Sequence, residues 1–269
     1  MCLILFAWRA HEAFPLILAA NRDEFYERPA APADFWEESP DLLAGRDLKS
    51  GGTWLGVTRQ GRVAAITNYR DPASLKPGAP SRGEVVSGFL RGREGSEAYL
   101  DGLAPVAGRY NGFSLLLGDL SGLFVYSNRG ARLAVEPGVH GISNHLIDSP
   151  WPKVVRGKAA LAGLLGEAEG PSPEVLLDLL ADRSRPPDRE LPDTGVGLEW
   201  ERILSSLFIE SPSYGTRCST AMIVGRTGEA TFVERLFQGG APWMTARFNF
   251  RIPLRSGIEL EGASVHVAS

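Results

Sequence analysis

The order of the apolar runs limits what this chain can fold into more than any single motif does. An unbroken run, Leu3-Ile4-Leu5-Phe6-Ala7-Trp8, headed by Cys2, is followed after the polar segment Arg9-Ala10-His11-Glu12 by a second run over residues 15–20. Two such runs so close together read as a hairpin of buried strands. A second hairpin is expected over residues 53–58 and 62–67, around Arg59-Gln60-Gly61. Helical spacing then appears at Val85, Val86, Phe89 and Leu90 and over residues 96–103. Short strands return at 113–118, 123–128, 132–135 and 138–143, separated by Asp-Leu-Ser-Gly, Asn-Arg-Gly and Pro-Gly turn signals. Two helices are expected over 151–168 and 173–180, opened by Pro150 and Pro173, and a third over 200–208. The last strands fall at 216–224, 230–235 and, more weakly, 247–252. Strands first, helices in the middle and strands last is not the alternation of a doubly wound α/β fold. It argues for antiparallel sheets with helices packed outside them, an α+β arrangement.

Between these elements, residues 22–50 and 71–83 are rich in Pro, Gly and charge and read as long loops, the usual carriers of function in a compact domain. No Ser/Gly linker divides the 269 residues, so a single domain over 1–269 is expected. A net charge of −4 offers no broad attraction to nucleic acid or to an anionic membrane, which removes phosphate-backbone partners from the expected functions. Nothing approaches the roughly 20 apolar residues of a membrane span. The first apolar run lacks a basic leader and is broken by Arg9, His11 and Glu12, so a cytoplasmic protein is expected. Cys2 and Cys218 are the only cysteines, too few for a disulfide scaffold, although one bridge between them stays open at this level. There is no Walker loop, no Gly-x-Gly-x-x-Gly after a strand, no His-Glu-x-x-His and no Cys-x-x-Cys. No metal site is expected.

The chemistry centres on Cys2. If the initiating methionine is trimmed, this residue carries a thiol and a free α-amine together, a nucleophile with its own base. A thiol pKa of about 8.5 and an amine pKa of about 7.7 to 8.0 leave the amine able to take the thiol proton near neutrality. Taken alone, a cysteine opening a strand is more often a buried structural residue. Its neighbours sharpen the expectation. Asn21-Arg22-Asp23-Glu24 follows the second apolar run, and in a hairpin that segment returns beside Cys2, within reach of its amine. Asn68 and Asn144 lie at later strand ends, where a neutral amide donor can hold an oxyanion, a contact that contributes roughly 3 to 4 kcal/mol in acyl transfer. Arg217 sits at the mouth of the last apolar run, where a guanidinium would favour the thiolate. Asn21, Arg22, Glu24, Arg70 and His145 are the expected substrate contacts.

These residues, together with Gly51-Gly52-Thr53-Trp54, Asn68-Tyr69-Arg70, Ser81-Arg82-Gly83, Tyr110-Asn111-Gly112-Phe113, Ser143-Asn144, Pro150-Trp151-Pro152-Lys153 and Tyr214-Gly215-Thr216-Arg217-Cys218-Ser219-Thr220, resemble the NRDE family of transport and Golgi organisation proteins over nearly the whole chain. That family in turn resembles the cysteine branch of N-terminal nucleophile hydrolases, which includes bile-salt hydrolases and penicillin V acylases. The resemblance implies an αββα four-layer sandwich with Cys2 as nucleophile and base, Asp23 orienting its amine, Asn68 and Asn144 holding the oxyanion and Arg217 settling the thiolate. The chain departs from the acylase branch in carrying Ala20 where that branch has an arginine three residues before the aspartate. Two functions are expected from the resemblance. One is hydrolysis of linear, non-peptide amides with no cofactor. The other is a haem- or lipid-binding carrier tied to haem trafficking and lipid homeostasis, with the pocket holding a hydrophobic ligand (haem or an acyl chain) and Cys2 or His145 on iron. A non-catalytic partner-binding protein on the same scaffold is a third.

Overall fold

The computed structural model describes residues 2–166 and 169–254. Cys2–Trp8 (β1) and Leu16–Phe25 (β2) form the first hairpin, with Cys2 opposite Arg22 and Trp8 opposite Leu16. β2 continues well past Ala20, so Asn21-Arg22-Asp23-Glu24 lies inside a strand and not in a loop after one. The expected long loop over 22–50 is a second correction, for it contains the hairpin of Ala30–Trp36 (β3) and Ser39–Asp47 (β4). β3 is an edge strand whose register slips between Ala31 and Asp34, around Pro32, and prolines are tolerated at such edges and bulges. Its half-exposed, proline-broken pattern is why no alternation is visible in the sequence.

Leu55–Thr58 (β5) and Val63–Asn68 (β6) follow as expected, then the helices Gly83–Arg91 (α1) and Ser96–Leu103 (α2). Phe113–Asp119 (β7), Gly122–Ser127 (β8), Arg132–Ala134 (β9) and Gly138–Ile142 (β10) come next. The helices Pro152–Leu164 (α3), Pro173–Leu179 (α4) and Leu198–Ile203 (α5) precede Tyr214–Val224 (β11), Glu229–Gln238 (β12) and Ala241–Arg251 (β13). Residues 167–168, on which the expected end of α3 falls, lie outside the described residues. α5 stops short of the expected 208, and β13 is longer than the weak signal at 247–252.

The strands make two antiparallel sheets, β10-β1-β2-β11-β12-β13 and β3-β4-β5-β6-β7-β8-β9. Period-2 alternation sorts each strand into an inner and an outer face. Ile4, Phe6, Leu16, Leu18 and Met222 of the first sheet meet Leu43, Val57, Ala65 and Leu116 of the second in a shared core. The outer residues Leu3, Leu5, Ile17 and Ala19 pack under Val154 and Leu161 of α3 and Leu176 of α4. On the far side, Ala64, Ile66, Leu115 and Leu117 pack under Val86, Phe89 and Leu90 of α1 and Leu100 of α2. This is the helix–sheet–sheet–helix order, with each buried Leu, Ile or Phe contributing about 1.5–3 kcal/mol. α3 comes close enough to β1 that a Cβ on Gly157 would lie 2.7 Å from Leu5 Cδ1, so a larger residue there would require Leu5 to shift. Among the described residues no helix is long and apolar enough to cross a membrane.

Candidate active site

The register that builds the first sheet also builds the site. Cys2 on β1 and Cys218 on β11 both lie opposite Arg22 on the central strand β2, so the three side chains share the face between the sheets. Two strand spacings of about 4.8 Å separate the cysteines, beyond the roughly 7 Å that a disulfide can bridge. Both thiols are free, which removes the bridge left open by the sequence. Cys218 is buried, whereas Cys2 is partly exposed and forms part of the wall of a cavity of about 310 Å³.

Arg22, Asn68, Trp54, Ser81 and Arg82 line the same cavity. Its two sides are drawn together at a pair of glycines, where a Cβ on Gly52 would lie 2.5 Å from the carbonyl carbon of Gly83. That backbone approach sets Thr53 and Trp54 beside the N-terminus of α1. The Arg22 guanidinium carbon stacks 4.3 Å over the Trp54 ring. Only 5% of Arg22 is exposed, and its Nη1 has no hydrogen-bond partner. Asn68, the last residue of β6, makes no side-chain hydrogen bond among the described residues and lines the cavity.

Burial pushes the Cys2 thiol up and the Asp23 carboxylate adds to this, while the Arg22 charge and a hydrogen bond from the Asp23 backbone N–H act in the other direction, toward thiolate. Asp23 itself extends to the outer face of β2. Thr216 Oγ1 donates to its Oδ1 at 2.7 Å, and the Tyr214 hydroxyl donates to its carbonyl at 2.9 Å. Burial pushes this carboxyl up, and the positive charge of Lys153 is the largest influence opposing it. Lys153 is 2% exposed, stands in the first turn of α3 and has an Nζ with no hydrogen-bond partner among the described residues. A cation at the positive end of a helix is unfavourably placed with respect to the helix, so the carboxylate of Asp23 is what accounts for a charge there. Burial pushes the Lys153 ammonium down to about 8.

The expected site residues therefore divide. Cys2, Arg22, Asp23, Glu24 and Asn68 come together at the cavity. Asn144 does not line it. Fully buried in a left-handed turn at φ 59°, it donates through Nδ2 to the Asn68 carbonyl at 3.1 Å and accepts from Arg70 through Oδ1. It braces the strand end that carries Asn68. Arg217 sits at a bulge in β11, where its Nη1 donates to the carbonyls of Phe25, Tyr26 and Arg28, each at 3.0 Å, and the arginine whose charge acts on the Cys2 thiol is Arg22. Asn21 faces outward and donates to the carbonyls of Leu180 and Leu207 while accepting from Ser219. Arg70 is buried in an ion pair with Glu201 at 2.5 Å. His145 has Nε2 on the Tyr69 hydroxyl at 2.7 Å and Nδ1 on Ser149 at 2.6 Å. None of the last three reaches the cavity as a substrate contact. Sequence reasoning did not place Lys153, Thr216, Trp54 and Arg82 at this cluster, where Trp54 and Arg82 line the cavity and Lys153 and Thr216 act on Asp23. Each sits in a motif that carried the family resemblance, which was the available signal.

Comparison with known proteins agrees with this architecture. The sequence profile of the family described as Transport and Golgi organisation 2 matches residues 1–239. The Transport and Golgi organization protein 2 homologs of Bos taurus and Homo sapiens are 39% and 36% identical, each over 94% of this chain and 99% of its own length. The Drosophila melanogaster protein of that name is 26% identical over 90% of this chain and 94% of its own. Among solved structures, the Caenorhabditis elegans N-acylethanolamine-hydrolyzing acid amidase ortholog superposes with a TM-score of 0.50 at 11% identity, covering 82% of this chain and 92% of that one. A mutant of the conjugated bile acid hydrolase from Clostridium perfringens gives 0.50 at 8% identity, covering 95% and 98%. At such identities the likeness shows a shared N-terminal nucleophile hydrolase fold and nothing finer.

Proposed function

The chain belongs to the Transport and Golgi organisation 2 family, and from that premise we propose that it is an N-terminal cysteine hydrolase acting on linear, non-peptide amides. The observation that carries this reading is the partly exposed Cys2 at the wall of a cavity that also presents the unbonded amide of Asn68. The two structural neighbours, named as an acylethanolamine-hydrolyzing amidase and a conjugated bile acid hydrolase, support the same chemistry.

In this mechanism Met1 is removed and the Cys2 nitrogen becomes a primary amine that takes the thiol proton. The sulfur attacks the amide carbonyl, a C–S bond forms, and the oxygen takes the negative charge, met by the Asn68 amide. Collapse breaks the C–N bond, and the proton held on the Cys2 amine goes to the departing amine. Water then adds to the thioester with the Cys2 amine as base. The C–S bond breaks, the carboxylic acid leaves and the thiol is restored. Asp23 holds the ammonium form of the Cys2 amine, Lys153 keeps Asp23 ionised, and Arg22 favours the thiolate. A cytoplasmic setting belongs to the same reading.

The haem-carrier reading fits these residues poorly. Both ring nitrogens of His145 are engaged, and the cavity wall around Cys2 is built mainly from arginine, serine, asparagine and carboxylate side chains. No step is assigned to haem. Incubation with a panel of linear N-acyl amides, read by release of primary amine, tests the proposal. Turnover that disappears in Cys2→Ala is expected. Turnover that survives in Cys2→Ala, or its absence across the panel with no thioester trapped on Cys2, contradicts it.

A further inference from the structure

The cations of the cavity are unequally matched. Arg28 is held by Asp47 at 2.7 Å and lies 3.8 Å from Glu24, while the Asp23 carboxylate faces Lys153 on the other side of the sheet. Arg22 and Arg82 have no carboxylate within ion-pair distance among the described residues. The Arg82 guanidinium makes one hydrogen bond among the described residues, from Nη1 to the Gly112 carbonyl at 2.9 Å, and Arg82 lines the cavity. Arg22 is 95% buried by the complement of its 5% exposure, and its Nη1 is unpartnered. Arg82 is also the N-cap of α1, a helix of nine residues whose positive end opens on the same cavity at Ser81, Arg82 and Gly83.

Two guanidiniums with no carboxylate in ion-pair contact among the described residues, a helix N-terminus and Ser81 thus line one side of the space next to Cys2, with Glu24 also in the wall. Guanidinium forks suit planar or tetrahedral oxyanions, which they bind through paired N–H donors. We infer that this side of the cavity is an anion subsite, formed by Arg22 and Arg82, that takes a carboxylate or phosphate group carried by the substrate close to its reactive carbonyl. The inference names a substrate class for the cysteine hydrolysis proposed above and rests on that reading for its kinetic arm, while its binding arm stands alone.

The kinetic arm compares two activated esters of equal chain length, mono-4-nitrophenyl succinate, which is anionic, and 4-nitrophenyl butyrate, which is neutral. The rate of Cys2 acylation is read from the nitrophenolate burst. The succinyl ester is expected to react at least tenfold faster, with the ratio falling toward one in Arg82→Met, largely kept in Arg82→Lys and reduced by 0.5 M NaCl. Equal rates for the two esters, or a preference indifferent to Arg82→Met and to salt, would overturn the inference. The binding arm titrates Cys2→Ala with sodium succinate and with inorganic phosphate by calorimetry. Millimolar or tighter binding that is lost in the Cys2→Ala/Arg82→Met double variant supports the subsite, and whichever of the two anions binds identifies the group it prefers. Flat titrations with both overturn it. If neither ester acylates Cys2 while an anion still binds, the hydrolase reading has failed and the anion subsite stands.

Discussion

Asn21 and Arg22 are neighbours on one strand, both buried and both rich in N–H donors, yet both Asn21 amide hydrogens are bonded to carbonyls while an Arg22 Nη1 has no partner. The pleat of β2 separates them. Asn21 and Asp23 point toward the helices, where Asn21 meets the Leu180 and Leu207 carbonyls and the Ser219 hydroxyl, and Asp23 meets Thr216 and the charge of Lys153. Arg22 and Glu24 point between the sheets, where the core gives way to the cavity. On the outer face the amide of Asn21 is held by the fold, whereas on the inner face Arg22 stands at the cavity wall. An incompletely bonded buried polar group costs about 1–3 kcal/mol, and both the Arg22 Nη1 and, behind Asp23, the Lys153 Nζ are of this kind among the described residues.

That contrast can be broken most sharply at Cys2 itself. Cys2→Ala is expected to reduce acylation by activated esters more than about 1000-fold while moving the urea midpoint by the equivalent of less than about 1 kcal/mol. A large loss of stability with it would put Cys2 on the structural side of the division. The outer face predicts the reverse pattern. Asn21→Ala leaves two carbonyls and the Ser219 hydroxyl without their partner, so a loss of about 2–4 kcal/mol in urea unfolding is expected, with the acylation rate of the folded fraction nearly unchanged. Arg22→Met sharpens the comparison from the other side. Its pH–rate profile for Cys2 acylation is expected to shift toward alkaline pH and its rate at neutrality to fall by roughly tenfold, with stability changed by less than about 1 kcal/mol.

The smallest effect concerns the charge behind Asp23. Lys153 faces Asp23, Arg70, Cys2 and Glu201, and its ammonium is held down to about 8 by burial. The unfolded chain keeps that lysine protonated up to about 10.4, so between these values the unfolded state binds more protons than the native one. The contribution of Lys153 to stability therefore rises with pH across that window, by at most about 1.4 kcal/mol per pH unit. The difference in unfolding free energy between the wild type and Lys153→Met, measured from pH 7 to 10, is expected to move in favour of the wild type. A difference that stays flat would mean that the lysine keeps its ordinary proton affinity in the fold.

Much of the architecture was legible because burial imposes alternation. The runs at β1, β2, β6, β7 and β11 are apolar on both faces or strictly alternating, and the turns between them carry Gly, Pro and Asn. β3 was hidden because an edge strand exposes half its residues and tolerates Pro32, and β4, between β3 and β5, offers only the short buried stretch Leu42-Leu43-Ala44-Gly45 between exposed and polar ends. The site was legible as a set of positions and less so as a set of roles. Reading Asn21-Arg22-Asp23-Glu24 as a turn left no means of assigning its side chains to faces, and only pairing with both β1 and β11 does so. Arg217, Arg70 and His145 looked free because their partners lie far away in sequence: Arg217 bonds to the carbonyls of Phe25, Tyr26 and Arg28 at and just past the end of β2, Arg70 to Glu201, and His145 to Tyr69. Lys153 reads as an ordinary helix-surface lysine until the packing of α3 over Asp23 buries it.

Peptide-level mass spectrometry of the protein trapped with mono-4-nitrophenyl succinate tests most directly the claim that Cys2 attacks with its own amine as base. The account predicts a chain lacking Met1 that carries one hydroxylamine-labile acyl group on the sulfur of Cys2. A chain that retains Met1 and is acylated as fast, or an acyl group on Cys218 or a lysine in place of Cys2, would contradict it.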